Sequence, residues 1–167
     1  MSNEVKINKY NLTVIIDTRE QKNKHIEKFL NDNNISYYYR KLEFGDYTFE
    51  YENVSFFDKI VVERKANLGE LSNNLTKDRE RFVNEHERCK TAKAKMVWMI
   101  EEGNINDIYS GNYNTLLHKN AYIGSVLSFQ SKYSIQIDFI PKIWSGRHIL
   151  NVFYYYLREI WRNISGL

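Results

Sequence analysis

The stretch that decides the fold reads FGDYTFEYENVSFFDKIVVERK and runs from Phe44 to Lys65. Aromatic residues alternate with polar ones over Tyr47–Tyr51, which predicts a half-buried strand, and Glu52-Asn53 is typical of a turn. A second strand is predicted over 56–65 and ends, after an apolar run, on three charged residues. Charge at the tip of a buried strand usually means that the strand reaches solvent there. The alternative is that these charges form a site.

The spacing of the charged tip favours the second interpretation. Residues two apart on a strand share a face, so Glu63 and Lys65 point to one side of the predicted strand and Arg64 to the other. Asp46 begins the neighbouring strand and brings a second carboxylate to the same place. Two carboxylates at one sheet edge repel each other unless a cation such as Mg²⁺ lies between them. With Lys65 placed to orient or help deprotonate a bound water, this arrangement suits phosphodiester hydrolysis.

The residues alone leave a simpler interpretation open. A Glu-x-Lys pair such as Glu63 and Lys65 is most often a surface ion pair, and an isolated Gly45-Asp46 is typical of a turn. Both interpretations start from the same two strands, so the spacing within the hairpin does not separate them.

Outward from this hairpin, the chain alternates strands and helices without a repeat or a linker. Strands are predicted over 12–16, 35–42, 96–100 and 135–140, and helices over 21–34, 68–75, 78–90, 120–132 and, capped by Ser145, 145–164. This order predicts an α/β (α+β) fold of three layers, with a central mixed β-sheet flanked by helices. The 167 residues suit a single domain over 1–167, with core motifs over 12–102 and a C-terminal completion over 103–167.

Composition narrows the functional classes. A net charge of +3 permits a polyanionic partner without requiring one. The single cysteine, Cys89, excludes an internal disulfide, and together with His86 it supplies too few ligands for a zinc site. No apolar stretch approaches the length of a membrane span, and the polar start MSNEVKINKYN is not typical of a signal peptide. We therefore expect a cytoplasmic protein without a membrane partner.

Four short motifs follow one another along the chain: IIDTRE (15–20), EFGDY (43–47), VVERK (61–65) and DRERF (78–82). Their order and spacing resemble the nuclease domain of the XPF/Mus family of structure-selective endonucleases, which carries a GDx(n)ERKx(3)D signature within the PD-(D/E)xK superfamily. The resemblance implies a restriction-endonuclease-like fold and a Mg²⁺- or Mn²⁺-dependent DNA endonuclease acting at branched, flap or single-strand/double-strand junction DNA. It extends to small standalone bacterial or phage members, which implies a role in DNA repair or recombination.

The resemblance also implies which residues form the active site. It places the metal ligands on Asp46 and Glu63, with Lys65 as the catalytic lysine. Asp17 and Glu20 would complete the acidic cluster beneath the scissile phosphate, and Asp17 is counted with the catalytic residues.

The expected DNA contacts come partly from the resemblance and partly from residue type. The resemblance implies that Arg64 either fixes the acidic cluster from behind or touches phosphate, and that Arg81 contacts the DNA backbone. Arg79 lies on the same predicted helix, for which a solvated face is the alternative. In the polar loop before the next helix, Lys119 is expected at a phosphate and Tyr113 against a base, unless this is a plain surface loop.

The chain departs from the family pattern in two ways. Asn67 and then Glu70 follow the ERK triplet, so the last acid of the signature is shifted and Glu70 is the best substitute. No tandem helix-hairpin-helix module is found after residue 103, so a separate DNA-binding or replication/recombination protein is an expected partner. A homodimer is also expected, because the last predicted helix is apolar around much of its circumference and relatives dimerise through this domain.

The alternative function is a non-catalytic DNA-binding or protein-interaction subunit that reuses the nuclease fold. Intact Asp46, Glu63 and Lys65 favour the enzyme, since paired carboxylates facing DNA would otherwise repel its phosphates.

Overall fold

The structure, a computed structural model, describes residues 7–165 and only the backbone at positions 164 and 165. Within that part of the chain, short 3-10 turns cover Lys9–Asn11 and Lys142–Trp144. The strands are β1 (Thr13–Ile16), β2 (Tyr37–Tyr39), β3 (Tyr47–Tyr51), β4 (Val54–Ser55), β5 (Ile60–Lys65), β6 (Lys95–Ile100) and β7 (Gln136–Phe139). The helices are α1 (Lys24–Asp32), α2 (Leu68–Leu75), α3 (Arg79–Thr91), α4 (Ile105–Ser110), α5 (Lys119–Tyr133) and α6 (Ser145–Ser165).

The strands form one mixed sheet in the order β2-β1-β3-β5-β6-β7, with β4 paired to β3 outside this path. β5, β6 and β7 run parallel, whereas β3 runs antiparallel to both β1 and β5. The carboxyl ends of β1 and β5 therefore lie at the same end of the sheet as the start of β3. This topology gathers Asp17, Asp46 and Glu63–Lys65, which are distant along the chain, at one edge.

Helices cover both faces of the sheet and bury two apolar clusters. On one face, α1 and α6 pack against β1 and β3 through residues such as Leu30 and Phe153. On the other, α2, α3 and α5 pack against β5 and β6 around Phe82, Trp98 and Phe129. The predicted three-layer α/β fold with a central mixed sheet is confirmed.

Strand β5 joins the two clusters because its side chains alternate between the faces. Ile60 and Val62 belong to the cluster under α1 and α6, and Val61 belongs to the cluster under α2, α3 and α5. Glu63 and Lys65 continue the Val61 side, as the two-residue periodicity predicts.

The structure corrects the predicted elements in three places. The strand expected over 35–42 is limited to Tyr37–Tyr39 at the edge of the sheet. The strand expected over 56–65 begins only at Ile60, because a turn closed by the Lys59 N–H to Phe56 O bond occupies its first residues, and the short strand β4 before that turn was not predicted. Helix α4 was not predicted, although a capping box on Asn104 begins it and Gly111 ends it at φ +78°.

Gly45 precedes the predicted metal ligand Asp46 at a position that admits no side chain. Its φ is +72°, and an added Cβ would lie 2.5 Å from the Val61 Cβ. We expect Gly45→Ala to lower the free energy of unfolding by about 2–4 kcal/mol, through overpacking and left-handed strain. Gly124→Ala is the matched control, because open space surrounds that α5 position. The control should gain about 0.5–1 kcal/mol. Urea denaturation of both variants checks this, and equal losses would contradict it.

Candidate active site

A cleft of about 1110 Å³ opens at the sheet edge where β5 ends. Its walls come from the segment after β1, the residue before β3, the end of β5, helix α2, the first half of α3, and the loop 114–117. All the residues that the sequence analysis assigned to catalysis or metal binding line this cleft: Asp17, Glu20, Asp46, Glu63 and Lys65. The structure therefore brings the predicted cluster together in one accessible place.

Glu63 and Lys65 form a buried ion pair in this cleft. The Lys65 Nζ donates to Glu63 Oε1 at 2.5 Å, and neither side chain is more than 6% exposed. Burial by itself lowers the pKa of Lys65, but the charges of Glu63 and Asp46 outweigh it and raise that pKa above its usual value. Lys65 therefore stays an ammonium at neutral pH. This favours a role in orienting water and stabilising negative charge over a role as a base.

The second oxygen of Glu63 has no protein partner. Oε2 is buried and accepts no hydrogen bond from any described residue. A buried polar atom left unpaired is uncommon and costs free energy, so such an atom in a cleft points to a ligand that the chain does not itself supply.

Asp46 lies across the β3–β5 pair from Glu63. Its Oδ2 accepts from the Arg64 backbone N–H at 2.8 Å, and its own N–H donates to the Val62 carbonyl. Burial, and then the charge of Glu63, raise the pKa of Asp46 well above its usual value, against the opposing charge of Lys65. The ionised form of Asp46 is thus disfavoured by the protein alone and would gain from a nearby cation.

Arg64 lies on the opposite face of β5 and is 4% exposed. Its Nε donates to Glu101 at 3.0 Å, its Nη1 to Glu20 at 3.0 Å and its Nη2 to the Lys22 carbonyl at 3.2 Å. Every guanidinium nitrogen is therefore bonded within the protein. This geometry favours the interpretation that Arg64 fixes the acidic cluster from behind, rather than the one in which it touches phosphate.

The two acids after β1 differ in how free they are to bind a ligand. Asp17 accepts from Arg19 Nε at 2.7 Å and from the Leu42 N–H at 2.6 Å. Burial raises the pKa of Asp17, but the hydrogen bonds from Arg19 and Leu42 outweigh it and lower that pKa overall. Burial raises the pKa of Glu20 to about 7, with Arg64 opposing. A metal-binding role for either acid stays a prediction, and the carboxylate of Asp17 is already fully engaged.

The arrangement of Asp46 and Glu63 fits a hard divalent cation. Within residues 7–165, no three His, Cys, Asp or Glu side chains stand in a ready-made metal-binding group. Mg²⁺ does not need such a group, because it keeps several waters and binds through one or two carboxylates plus substrate phosphates. A bound cation would pair with the free Glu63 Oε2 and would stabilise the ionised form of Asp46.

Glu70, the substitute for the shifted last acid of the signature, lines the cleft from the first turn of α2. Its Oε2 accepts from the Ala66 N–H at 2.8 Å, and its N–H donates to the Asn67 side chain at 2.9 Å. These bonds begin helix α2, and a second role at the acidic cluster stays a prediction.

The predicted DNA contacts on α3 separate into two groups. Arg81 lines the cleft, and its side chain is 71% exposed. Arg79 lies elsewhere on the helix, where its Nη1 donates to the Leu75 carbonyl at 3.1 Å and its guanidinium lies over the Phe129 ring. Arg79 is not among the residues that line the cleft, and a phosphate contact by Arg79 stays a prediction.

The loop before α5 also differs from the expectation. The Tyr113 hydroxyl donates to the Leu117 carbonyl at 2.7 Å, and its ring packs edge-on against Tyr122 at 5.0 Å. Lys119 is the first residue of α5 and, like Tyr113, does not line the cleft. The contacts of Tyr113 favour the surface-loop interpretation for that residue, and the phosphate contact expected of Lys119 stays a prediction.

The sequence analysis missed Glu85 and Arg19 as residues of the cleft. Glu85 Oε1 accepts from the Gly45 N–H at 2.9 Å, and burial, followed by the charge of Glu63, raises its pKa to about 7. Its signal was its position one turn after Arg81 on the same helix face. Arg19 stands inside the IIDTRE motif, and its half-exposed guanidinium reaches the cleft while it pairs with Asp17.

The Lys65 ammonium packs against the buried ring of Phe82, which belongs to a group with His86 and Trp98. The Lys65 Nζ lies 5.1 Å from the centre of the Phe82 ring. His86 donates from Nδ1 to the Phe82 carbonyl at 2.7 Å and accepts from Trp98 Nε1 at 2.9 Å, so it is held as the neutral Nδ1–H tautomer. Burial also lowers the pKa of His86. Both ring nitrogens of His86 are therefore bonded inside the core, and the bond to the Phe82 carbonyl fixes the helix turn that carries Phe82.

Comparisons with known proteins agree with this fold. The structure is similar to XPF from Aeropyrum pernix in complex with DNA, with a TM-score of 0.64 and 17% identity, over 88% of this chain and 66% of that one. It is also similar to a second structure of XPF from Aeropyrum pernix, with a TM-score of 0.63 and 17% identity, over 86% of this chain and 61% of that one. The chain thus spans less than two thirds of the length of either relative. No curated protein sequence matches. Residues 16–143 match the model of the ERCC4 domain, and the chain therefore belongs to the ERCC4 domain family.

Proposed function

We propose that this protein is a metal-dependent DNA endonuclease that hydrolyses phosphodiester bonds. The observation that carries the proposal is the buried Lys65–Glu63 pair, which lines an open cleft beside Asp46 and whose second carboxylate oxygen has no partner among the described residues. Membership of the ERCC4 domain family supports it. So does the existence of a protein of similar fold, XPF from Aeropyrum pernix, in complex with DNA.

In this proposal each residue has a defined task. Asp46 and Glu63 would hold Mg²⁺ or Mn²⁺, which when bound would polarise the phosphate and activate a water. The Lys65 ammonium would stabilise the negative charge that develops on the phosphate, because Glu63 and the Phe82 ring hold it in place before substrate arrives. Arg81 would bind backbone phosphates at the rim of the cleft, where its guanidinium can engage two oxygens.

The proposed substrate class is branched, flap or junction DNA, and this part of the proposal rests on the motif resemblance. The alternative, a non-catalytic subunit, leaves the acidic cluster without an explanation, because carboxylates in a DNA-facing cleft repel phosphate unless a cation is present. A homodimer and a separate DNA-binding partner remain proposals alongside it.

A cleavage assay tests both the metal-dependent nuclease activity and the preference for branched DNA. We expect cutting of labelled DNA with Mg²⁺ or Mn²⁺ and none with a chelator, and flap or fork substrates should be cut at least about tenfold faster than linear duplex, a difference of about 1.4 kcal/mol. Lys65→Ala, which removes the ammonium, should lower the rate by about 10²–10³-fold. Binding of DNA without cutting under any metal condition would favour the non-catalytic subunit. Equal cutting of every substrate would contradict the junction preference.

A further inference from the structure

Glu85 lies at the acidic cluster without a task in the proposed reaction. It belongs to the middle of α3, which packs on the face of the sheet that Glu63 and Lys65 share, and it lines the cleft. Its Oε1 accepts from the Gly45 N–H at 2.9 Å, so the carboxylate is bonded to the residue that immediately precedes Asp46. Glu85 therefore approaches the two proposed metal ligands from the side of the helix.

The hydrogen bond to Gly45 does not explain why the side chain at position 85 is an acid. The neutral oxygen of a glutamine would accept the same N–H. Burial, and then the charge of Glu63, raise the pKa of Glu85 to about 7, so the protein alone disfavours its ionised form. A carboxylate placed where an amide could make the same bond at less cost indicates that the charge itself has a use.

The cations near Glu85 are already bonded to other acids. Lys65 Nζ donates to Glu63 at 2.5 Å, and Arg19 Nε donates to Asp17 at 2.7 Å. Glu85 forms no ion pair with any described residue, and its Oε2 accepts no hydrogen bond from one. The residue is partly exposed and lines the cleft, so water can reach its carboxylate.

A second observation places a missing partner at the same point. Glu63 is 4% exposed, and its Oε2 is buried without a hydrogen bond from any described residue. The charge of Glu63 is also the one that most raises the pKa of both Asp46 and Glu85, so Glu63 is close to both. Of these three acids, only Glu63 has an ion-pair partner in the described part of the chain, the Lys65 ammonium. Three carboxylates around one ammonium leave two negative charges in excess, which a divalent cation would balance.

The geometry favours a contact through water over direct ligation. No three acids within residues 7–165 are placed as a ready-made metal-binding group. Mg²⁺ keeps several waters when one or two carboxylates bind it, and such waters donate hydrogen bonds to nearby acids. We propose that Glu85 Oε2 accepts a hydrogen bond from a water on the cation that Asp46 and Glu63 hold. The inference rests on the proposed function and adds to it a positioning residue on α3.

The test measures cation binding instead of cleavage. Glu85→Gln keeps an oxygen that can accept from the Gly45 N–H and removes the charge. In Mn²⁺ titrations of the full chain without DNA, followed by electron paramagnetic resonance of the free ion, we expect affinity to fall about tenfold. Water-proton relaxation should give the same number of waters on the bound Mn²⁺ as in the parent, because Glu85 is not a direct ligand. The melting temperature in chelator should equal or exceed that of the parent, because the disfavoured charge is gone.

Glu87→Gln is the matched control on the same helix. Glu87 pairs with Lys132 at 2.6 Å, its side chain is 45% exposed, and it is not among the residues that line the cleft. This variant should bind Mn²⁺ within about twofold of the parent, as expected for the loss of an exposed ion pair.

The outcomes separate this inference from the proposed function. Equal Mn²⁺ affinity of Glu85→Gln and Glu87→Gln would overturn the role of Glu85 alone. An additional water on the Mn²⁺ bound to Glu85→Gln would do the same by showing direct ligation, and a lower melting temperature in chelator by showing a structural role. A parent chain that neither binds Mn²⁺ nor cuts DNA with it would overturn the proposed function and this inference with it.

Discussion

Replacing Asp46 with asparagine will lower the rate of DNA cleavage by about 10³-fold or more. The substitution removes one of the two carboxylate ligands of the proposed cation, and that cation would contribute several kcal/mol to transition-state stabilisation. The fold should survive the change, since an asparagine oxygen can still accept the hydrogen bond from the Arg64 N–H that Asp46 accepts at 2.8 Å. Single-turnover cleavage of the preferred substrate measures the effect.

The same substitution should stabilise the metal-free protein. Burial, and then the charge of Glu63, raise the pKa of Asp46 in the folded state above its usual value of 3.8. A carboxyl whose pKa is raised on folding costs stability at every pH above its unfolded value, so the penalty is present at neutral pH and disappears when the charge is removed. In chelator, we expect Asp46→Asn to melt higher than the parent, by about 2–4 °C for each kcal/mol released.

Asp58→Asn is the matched control for both measurements. Asp58 is a half-exposed acid in the turn between β4 and β5, paired with Lys59 at 3.2 Å, and it is not among the residues that line the cleft. Its removal should leave cleavage within about twofold and stability within about 0.5 kcal/mol. An Asp46→Asn protein that cuts at the parental rate, or that melts lower in chelator than the Asp58→Asn protein, would contradict the placement of Asp46 among crowded acids.

The sequence predicted the parts of the site that depend on local periodicity. Alternation along β5 was enough to place Glu63 beside Lys65 and Arg64 on the other face, because the side-chain period of a strand is fixed at two. The predicted hairpin added Asp46, which joins this end of the sheet through the antiparallel pairing of β3 with β5, and the motif resemblance then implied its role as a metal ligand.

The parts that it missed depend on registers between elements. Arg64 reaches Glu101 because β5 and β6 are aligned with Lys65 opposite Ile100, and a single sequence does not give that register. Likewise, the sequence predicts one charged helix that carries Arg79 and Arg81. Only the packing of α3 on α5 places Arg79 against Phe129 and leaves Arg81 to line the cleft.

Glu101 is where this register matters most for stability. A single oxygen, Oε1, accepts from Arg64 Nε at 3.0 Å and from Ser145 Oγ at 2.8 Å, and contacts His25 Nε2 at 2.5 Å. The carboxylate is buried at the end of β6, so it joins the sheet to α1 and α6 behind the acidic cluster. Arg64 is the cation that compensates this buried charge, and through Nη1 it compensates Glu20 as well.

Arg64→Met should therefore lower the free energy of unfolding by about 3–5 kcal/mol, the cost of leaving a buried carboxylate without its partner. Arg81→Met, at an exposed arginine, should change it by less than about 0.5 kcal/mol. Adding Glu101→Gln to Arg64→Met removes the uncompensated charge, so the double variant should recover about 1–2 kcal/mol in a double-mutant cycle measured by urea denaturation. If Arg64→Met instead unfolds like Arg81→Met and loses DNA affinity with a reduced salt slope, then Arg64 is a phosphate contact and the buried-network interpretation is wrong.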